Sequence, residues 1–148
     1  MLDALTLHRV AHQLYRRGLN RSARVMARLG RHLFSSHIGP EAEIGAGTEL
    51  GYGGLGIVIH SAAQIGREVL IAPGVVIGGR SGLPGAPVIG DFVQIGSGAK
   101  VLGPIHVGEG AKIGANAVVI HDVAAGQVVA GVPARPVEPK LRVLDGLG

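Results

Sequence analysis

From Ile38 onward an aliphatic residue returns at every sixth position: Ile38, Ile44, Leu50, then Ile59, Ile65, Ile71, Ile77, then Ile89, Ile95, Val101, Val107, Ile113 and Val119. Gly directly follows many of them (Gly39, Gly45, Gly51, Gly66, Gly78, Gly90, Gly96, Gly108, Gly114), and a small or β-branched residue tends to stand four places after (Ala42, Thr48, Val75, Val93, Ala99, Ala111, Ala117). A period of six matches neither the 2.0 of a strand in an open sheet nor the 3.6 of a helix beyond a few residues. It matches a solenoid in which each hexad makes one short strand and a turn, and three hexads close one coil of a narrow prism. The aliphatic and the small residue point inward and the glycine takes the corner. Coils stacked about 4.8 Å apart give roughly four coils and a column about 20 Å long. The fold class expected is all-β, a parallel β-helix.

Two places break the count, and insertions in a solenoid become surface loops. Leu50 to Ile59 is nine residues, so three are extra within Gly51–Gly56; Ile77 to Ile89 is twelve, so Gly79–Pro87 bulges outward. Before the coils, Leu5, Leu7, Val10, Ala11, Leu14 and Tyr15 fall near helical spacing within residues 2–18, and Ser22 to Phe34 reads as a second helix after Gly18-Leu19-Asn20. The organisation expected is a short basic helical segment over 1–37, the parallel β-helix over 38–123, and a closing segment and tail over 124–148.

Composition sharpens this. Hydrophobic residues are 47% of the chain while Phe, Trp and Tyr are 3%, so the core consists of stacked Val, Ile, Leu and Ala. Gly is 26 of 148 residues without a Gly-X-Y period, which excludes collagen. The absence of Cys excludes disulfides and thiolate metal sites and leaves a cytoplasmic protein as the simplest expectation. His8, Arg9, His12, Arg16 and Arg17 break the early apolar stretches, so neither a secretory signal nor a bilayer span is expected. The net charge of +4 is uneven: residues 1–37 carry +6 and the rest −2. With a slightly acidic body and no stacking aromatics, nucleic acid is not an expected partner. The arginines of residues 1–34 suit a solvated helix face, or attraction to an anionic membrane or glycolipid.

The hexads, Gly56-Ile57-Val58-Ile59, the stretch Ile95-Gly96-Ser97-Gly98-Ala99-Lys100-Val101-Leu102-Gly103, and Ala130-Gly131-Val132-Pro133-Ala134-Arg135 together resemble the serine acetyltransferase branch of the hexapeptide-repeat acyltransferases. The resemblance covers about residues 38–137. It implies a left-handed parallel β-helix, a homotrimer, and acetyl-CoA as co-substrate in a groove between adjacent prisms. By matching stretches, the family's CoA contacts fall on Gly79, Ser97 and Ala115, with Arg135 and Lys112 placed to hold phosphates. For Gly79, Ser97 and Ala115, plain coil geometry is the competing explanation.

The catalytic match departs from the family. Its Asp-His pair before the Gly-Ile-Val run is represented by Gly51 and Tyr52, with one residue inserted; the Asp supporting that His is replaced by His37; the loop His has no counterpart in residues 78–88. Serine as substrate is thereby in doubt. Gly-Tyr-Gly-Gly-Leu-Gly-Ile-Val-Ile-His, ending at His60, is instead similar to polysaccharide-type relatives. A neutral imidazole at His60 has the chemistry of a general base for an acceptor hydroxyl, and backbone N–H groups of the glycine loop suit an oxyanion. A corner histidine bonded within the coils is the structural alternative for His60, and a His37–Tyr52 dyad the alternative catalytic centre. His106 and His121 read as surface residues, and no metal site is expected.

The leading expectation is an acetyl-CoA-dependent O-acetyltransferase acting on a small hydroxyl acceptor, either serine-like or a sugar or glycan intermediate. A non-catalytic trimeric scaffold is the alternative.

Overall fold

The computed structural model describes residues 2–138; Met1 and the tail residues 139–148 lie outside the described residues. Two helices come first. Helix α1 (Ala4–Arg16) starts at Asp3, whose carboxylate accepts from the Thr6 N–H at 2.7 Å and from its hydroxyl at 2.8 Å, satisfying one orphan donor of the first turn. Helix α2 (Asn20–Phe34) begins two residues before the expected start and ends at Ser35 in left-handed conformation. The hairpin lies across the first coil, burying Ala4, Leu5, Leu7, His8, Ala11, Ala23 and Gly30. Arg21, Arg24, Arg28 and Arg31 stand exposed on α2. No helix among the described residues is long and apolar enough to cross a membrane.

The coils follow as a prism with three parallel faces. The first face stacks β1 (His37–Ile38), β4 (Val58–Ile59), β7 (Val76–Gly78), β10 (Lys100–Leu102) and β13 (Val118–Val119). The second stacks β2 (Glu43–Ile44), β5 (Gln64–Ile65), β8 (Val88–Ile89) and β11 (His106–Val107). The third stacks β3 (Glu49–Leu50), β6 (Leu70–Ile71), β9 (Gln94–Ile95), β12 (Lys112–Ile113) and β14 (Val128–Ala130), and closes with the antiparallel β15 (Arg135–Pro136). Aliphatics align in register, as Ile38 on Ile59 and Ile59 on Ile77. The parallel strands therefore run from His37 to Ala130, one residue before and seven after the span expected for the solenoid, and β15 extends the third sheet to Pro136.

Eleven of the thirteen hexad aliphatics are buried, and Ile44 and Leu50 of the first coil are half-buried beneath the helices. The second inward position holds Ala42, Ala63, Val69, Val75, Val93, Ala99, Ala111 and Ala117, all buried. Thr48 is the polar member of that set; its hydroxyl donates to Gly66 O at 2.8 Å and accepts from Val69 N at 3.1 Å, so it costs no unsatisfied group.

The glycine after each aliphatic has a physical reason different from turn flexibility. A Cβ on Gly45 would lie 2.5 Å from the Gly66 carbonyl carbon, and one on Gly96 2.6 Å from Ala115 N, so the coil above excludes any side chain there. Positive φ falls instead two or three residues after the aliphatic, at positions including Gly47, Gly74, Gly98, Asn116 and Glu68.

Both insertions leave the column as loops. Gly51–Gly54 forms a 3₁₀ turn with Tyr52 at φ 50°. The Gly79–Pro87 excursion is pinned by an antiparallel bridge between Arg80 and Leu83.

Candidate active site

The Gly79–Pro87 loop springs from the corner between the first and second faces, where β7 would otherwise turn directly into β8. That displacement changes what the corner holds. At corners such as Gly45, Gly66 and Gly96 the next coil leaves no room for a side chain, but a Cβ on Gly79 would make ordinary contacts only, with His60 Cδ2 and Nε2 at 3.9 Å and Gly85 O at 3.7 Å. His60 follows β4 one coil below and is exposed. Its Nδ1 accepts the Ala62 backbone N–H at 2.9 Å. An imidazole that accepts at Nδ1 carries its neutral-state proton on Nε2, so His60 presents a donor toward the loop. A general base acting through Nε2 requires the other tautomer.

His37 is held in a similar way. Arg31 Nη2 donates to His37 Nδ1 at 3.0 Å. Burial, and then the Arg31 charge, hold the His37 pKa below its ordinary value, which keeps the ring neutral with its proton on Nε2. Tyr52 is 88% exposed on the corner loop between the third and first faces, and no hydrogen bond joins it to His37 among the described residues. The two residues line separate depressions: Tyr52 a groove of about 510 Å³ on the third face, His37 an opening beside α2.

That third-face groove gathers Ser97 and Lys112 together with Tyr52, Glu49 and Leu70. Ala115 sits directly above Gly96 at the same corner column as Ser97. Arg135 is exposed on β15, opposite Ala130. The expected CoA contacts thus divide between two corners of one prism: Gly79 at the first-to-second corner, Ser97 and Ala115 at the third-to-first. One chain does not bring them onto a single ligand.

His106 and His121 are exposed, as expected of surface residues. His8 and His12 approach on α1 with ring centroids 5.7 Å apart, yet no group of three or more His, Cys, Asp or Glu able to hold a metal occurs among the described residues. Two participants escape the sequence reading. Arg31 reaches His37 across the end of α2, a contact no spacing rule reports, and Glu49 enters the groove only because coils stack.

A family model described as bacterial transferase hexapeptide (six repeats) matches residues 86–121. Serine acetyltransferase of Synechocystis sp. is 43% identical over 140 residues, covering 93% of this chain and 56% of that protein. Serine acetyltransferase of Helicobacter pylori is 39% identical over 138 residues, covering 92% of this chain and 80% of that protein. A solved serine acetyltransferase in complex with CoA superposes with a TM-score of 0.85 at 37% identity, covering 90% of this chain and 55% of that one. The chain therefore spans little more than half the length of some of the proteins it matches.

Proposed function

The chain belongs to the serine acetyltransferase family of hexapeptide-repeat proteins, and from that premise we propose that it transfers acetyl from acetyl-CoA to the hydroxyl of a small acceptor. Serine is the nearest named acceptor by kinship, and a sugar hydroxyl is the second. The split of Gly79 from Ser97 and Ala115 supports a homotrimer in which acetyl-CoA lies between neighbouring prisms, one offering the loop corner and the next the small-residue corner. The small residues let the pantetheine arm approach the backbone, and Lys112 and Arg135 supply cations for the phosphates.

The observation that carries the reading is that His60 Nε2 lies 3.9 Å from where a Cβ on Gly79 would stand. A thioester lying along Gly79 has its carbonyl within reach of that N–H. The acceptor oxygen attacks the carbonyl carbon, the C–O bond forms, and the π electrons move onto the carbonyl oxygen, where the His60 N–H holds them. Collapse breaks the C–S bond; the hydroxyl proton passes through solvent to the CoA thiolate. His60 thus serves as a donor, in place of the base that residue type alone suggests, and His37 and Tyr52 act elsewhere.

Substitutions separate donor from base. His60→Asn keeps an acceptor for the Ala62 N–H but loses the Nε2 donor, and lowers kcat by roughly 10²–10³-fold, the scale of one oxyanion donor. His60→Gln places an amide N–H near the Nε2 position and retains at least about tenfold more activity than Asn. Equal loss in both returns His60 to the role of base. A trimeric parent that releases no thiol from acetyl-CoA with any acceptor leaves the scaffold reading.

A further inference from the structure

Helix α2 carries its aliphatic side chains on the outside. Against α1 and the first coil it buries the small residues Ala23 and Gly30 and half-buries Met26, Ala27 and Phe34. Val25, by contrast, is 61% exposed, Leu29 42% and Leu33 55%. Spaced four apart, these three form one stripe along the helix. Arg21, Arg24, Arg28 and Arg31, at steps of three and four, form a second exposed stripe beside it. No acidic residue occurs on α1 or α2, and Asp3, the one acid of residues 1–37, is engaged by Thr6. Among the described residues none of the four arginines forms a salt bridge. A face turned only to water would carry polar residues at 25, 29 and 33.

The charge decides what covers it. Residues 1–37 carry +6, so a second copy of this face would set like charge against like. Nucleic acid would satisfy the arginines and leave Val25, Leu29 and Leu33 in water. A bilayer with anionic headgroups satisfies both stripes at once, because the aliphatics enter the acyl boundary while the guanidiniums stay among the phosphates. At about 22 Å, and with no segment apolar enough to span, the helix is suited to lying in the interface. We propose that α2 docks the protein on an anionic phospholipid surface, with Val25, Leu29 and Leu33 inserted and Arg21, Arg24, Arg28 and Arg31 paired with headgroup phosphates. The helix is already formed and held by α1, so docking orders no further backbone. Three prisms set side by side, as in the trimer proposed above, bring three such helices to one end of the assembly and multiply a weak contact. The surface does not depend on the acetyl-transfer reading.

The test is flotation of the full chain with vesicles of pure phosphatidylcholine and of phosphatidylcholine mixed with phosphatidylglycerol. Partition into the mixed vesicles is expected to exceed that into the neutral ones by at least about 100-fold at low salt, since each arginine at the surface is worth roughly fivefold. The preference shrinks as salt is added. Arg24→Gln with Arg28→Gln weakens partition into mixed vesicles by roughly 25-fold. Leu29→Gln with Leu33→Gln weakens it by at least about tenfold at low and high salt alike. All four positions are exposed and Gln is a good helix former, so both pairs keep the parent's circular dichroism. No partition, or equal partition into the two kinds of vesicle, overturns the proposal. So does partition that survives the leucine pair and is competed away by soluble polyglutamate, which marks a face for an acidic protein. A leucine pair that lowers the oligomer's mass in light scattering, with lipid binding unchanged, assigns the stripe to contacts between copies and overturns it as well. Thiol release from acetyl-CoA without vesicles reports the acetyl-transfer reading separately, and its failure leaves the lipid result standing.

Discussion

His8 gives the helical cap a pH dependence whose size follows from its surroundings. Its side chain is buried between α1 and the first coil, and its Nδ1 has no hydrogen-bond partner. Burial, the charge of His12 and that of Arg9 outweigh a backbone hydrogen bond to Ala42, and the pKa falls from 6.5 to about 4. The folded protein therefore holds His8 neutral, while the unfolded chain takes up a proton below pH 6.5. Stability from this group is complete above 6.5 and is lost as pH falls toward 4. Between pH 7 and pH 5 the loss is about 2 kcal/mol, and it levels off near 3 kcal/mol below pH 4. The assay is urea unfolding followed by far-UV circular dichroism, suited to a chain with no Trp, at fixed protein concentration so that assembly does not enter the comparison. His8→Leu removes the titrating group and the orphaned nitrogen together. Its stability is expected to decline less steeply than the parent's over pH 7 to 5, by that same margin of about 2 kcal/mol. Parallel curves for parent and variant refute the argument, because they mean that the helix lifts or water enters before the imidazole must stay neutral.

Three further outcomes follow from the coils and the proposed CoA groove. Gly45→Val drives a side chain into the backbone of the next coil and costs at least about 2–3 kcal/mol in the same unfolding assay, whereas Gly53→Ala, with open space but φ +68°, costs about 1 kcal/mol. Arg135→Ala weakens acetyl-CoA binding by about 1.5–3 kcal/mol in calorimetry with the circular dichroism spectrum intact, and unchanged affinity removes Arg135 from the phosphate site. Light scattering gives the mass of a trimer at micromolar concentration; a stable monomer there contradicts a ligand groove shared between prisms.

The column is legible in the sequence because each coil imposes the same steric demand at the same step, so Ile59, Ile65 and Ile71 repeat a message that Ile95, Val101 and Val107 repeat again. Ile44 and Leu50 obey the pattern yet remain half-buried, since the coil they belong to has a neighbour on one side and only helices on the other. The glycines are legible as a pattern but not as a mechanism: their absent side chains make room for an adjacent coil, which is a contact across about twenty residues. The His60 corner is less legible still. His60 stands out by residue type, but its tautomer depends on the Ala62 N–H, two residues on, and its setting on a loop that begins at Gly79. The Arg31–His37 contact links the end of a helix to the start of a strand, where no period crosses. Electrostatics and proton placement depend on such single contacts, and a repeat does not record them.

A stacked prism has an open rim at each end, and any strand with free N–H and C=O groups invites another of its kind. Here α1 and α2 lie over the rim formed by β1 and β3, and at the far end the chain doubles back, with Ala134 N on Val118 O at 2.8 Å and Val137 N on Val128 O at 2.8 Å. These closures act as stoppers on a structure that could otherwise grow indefinitely along its own axis. Removing residues 2–34 leaves the strands of the His60 corner in place but uncovers a three-sided template at one end while the other stays closed, so such a truncate would associate rim to rim in pairs rather than lengthen without limit.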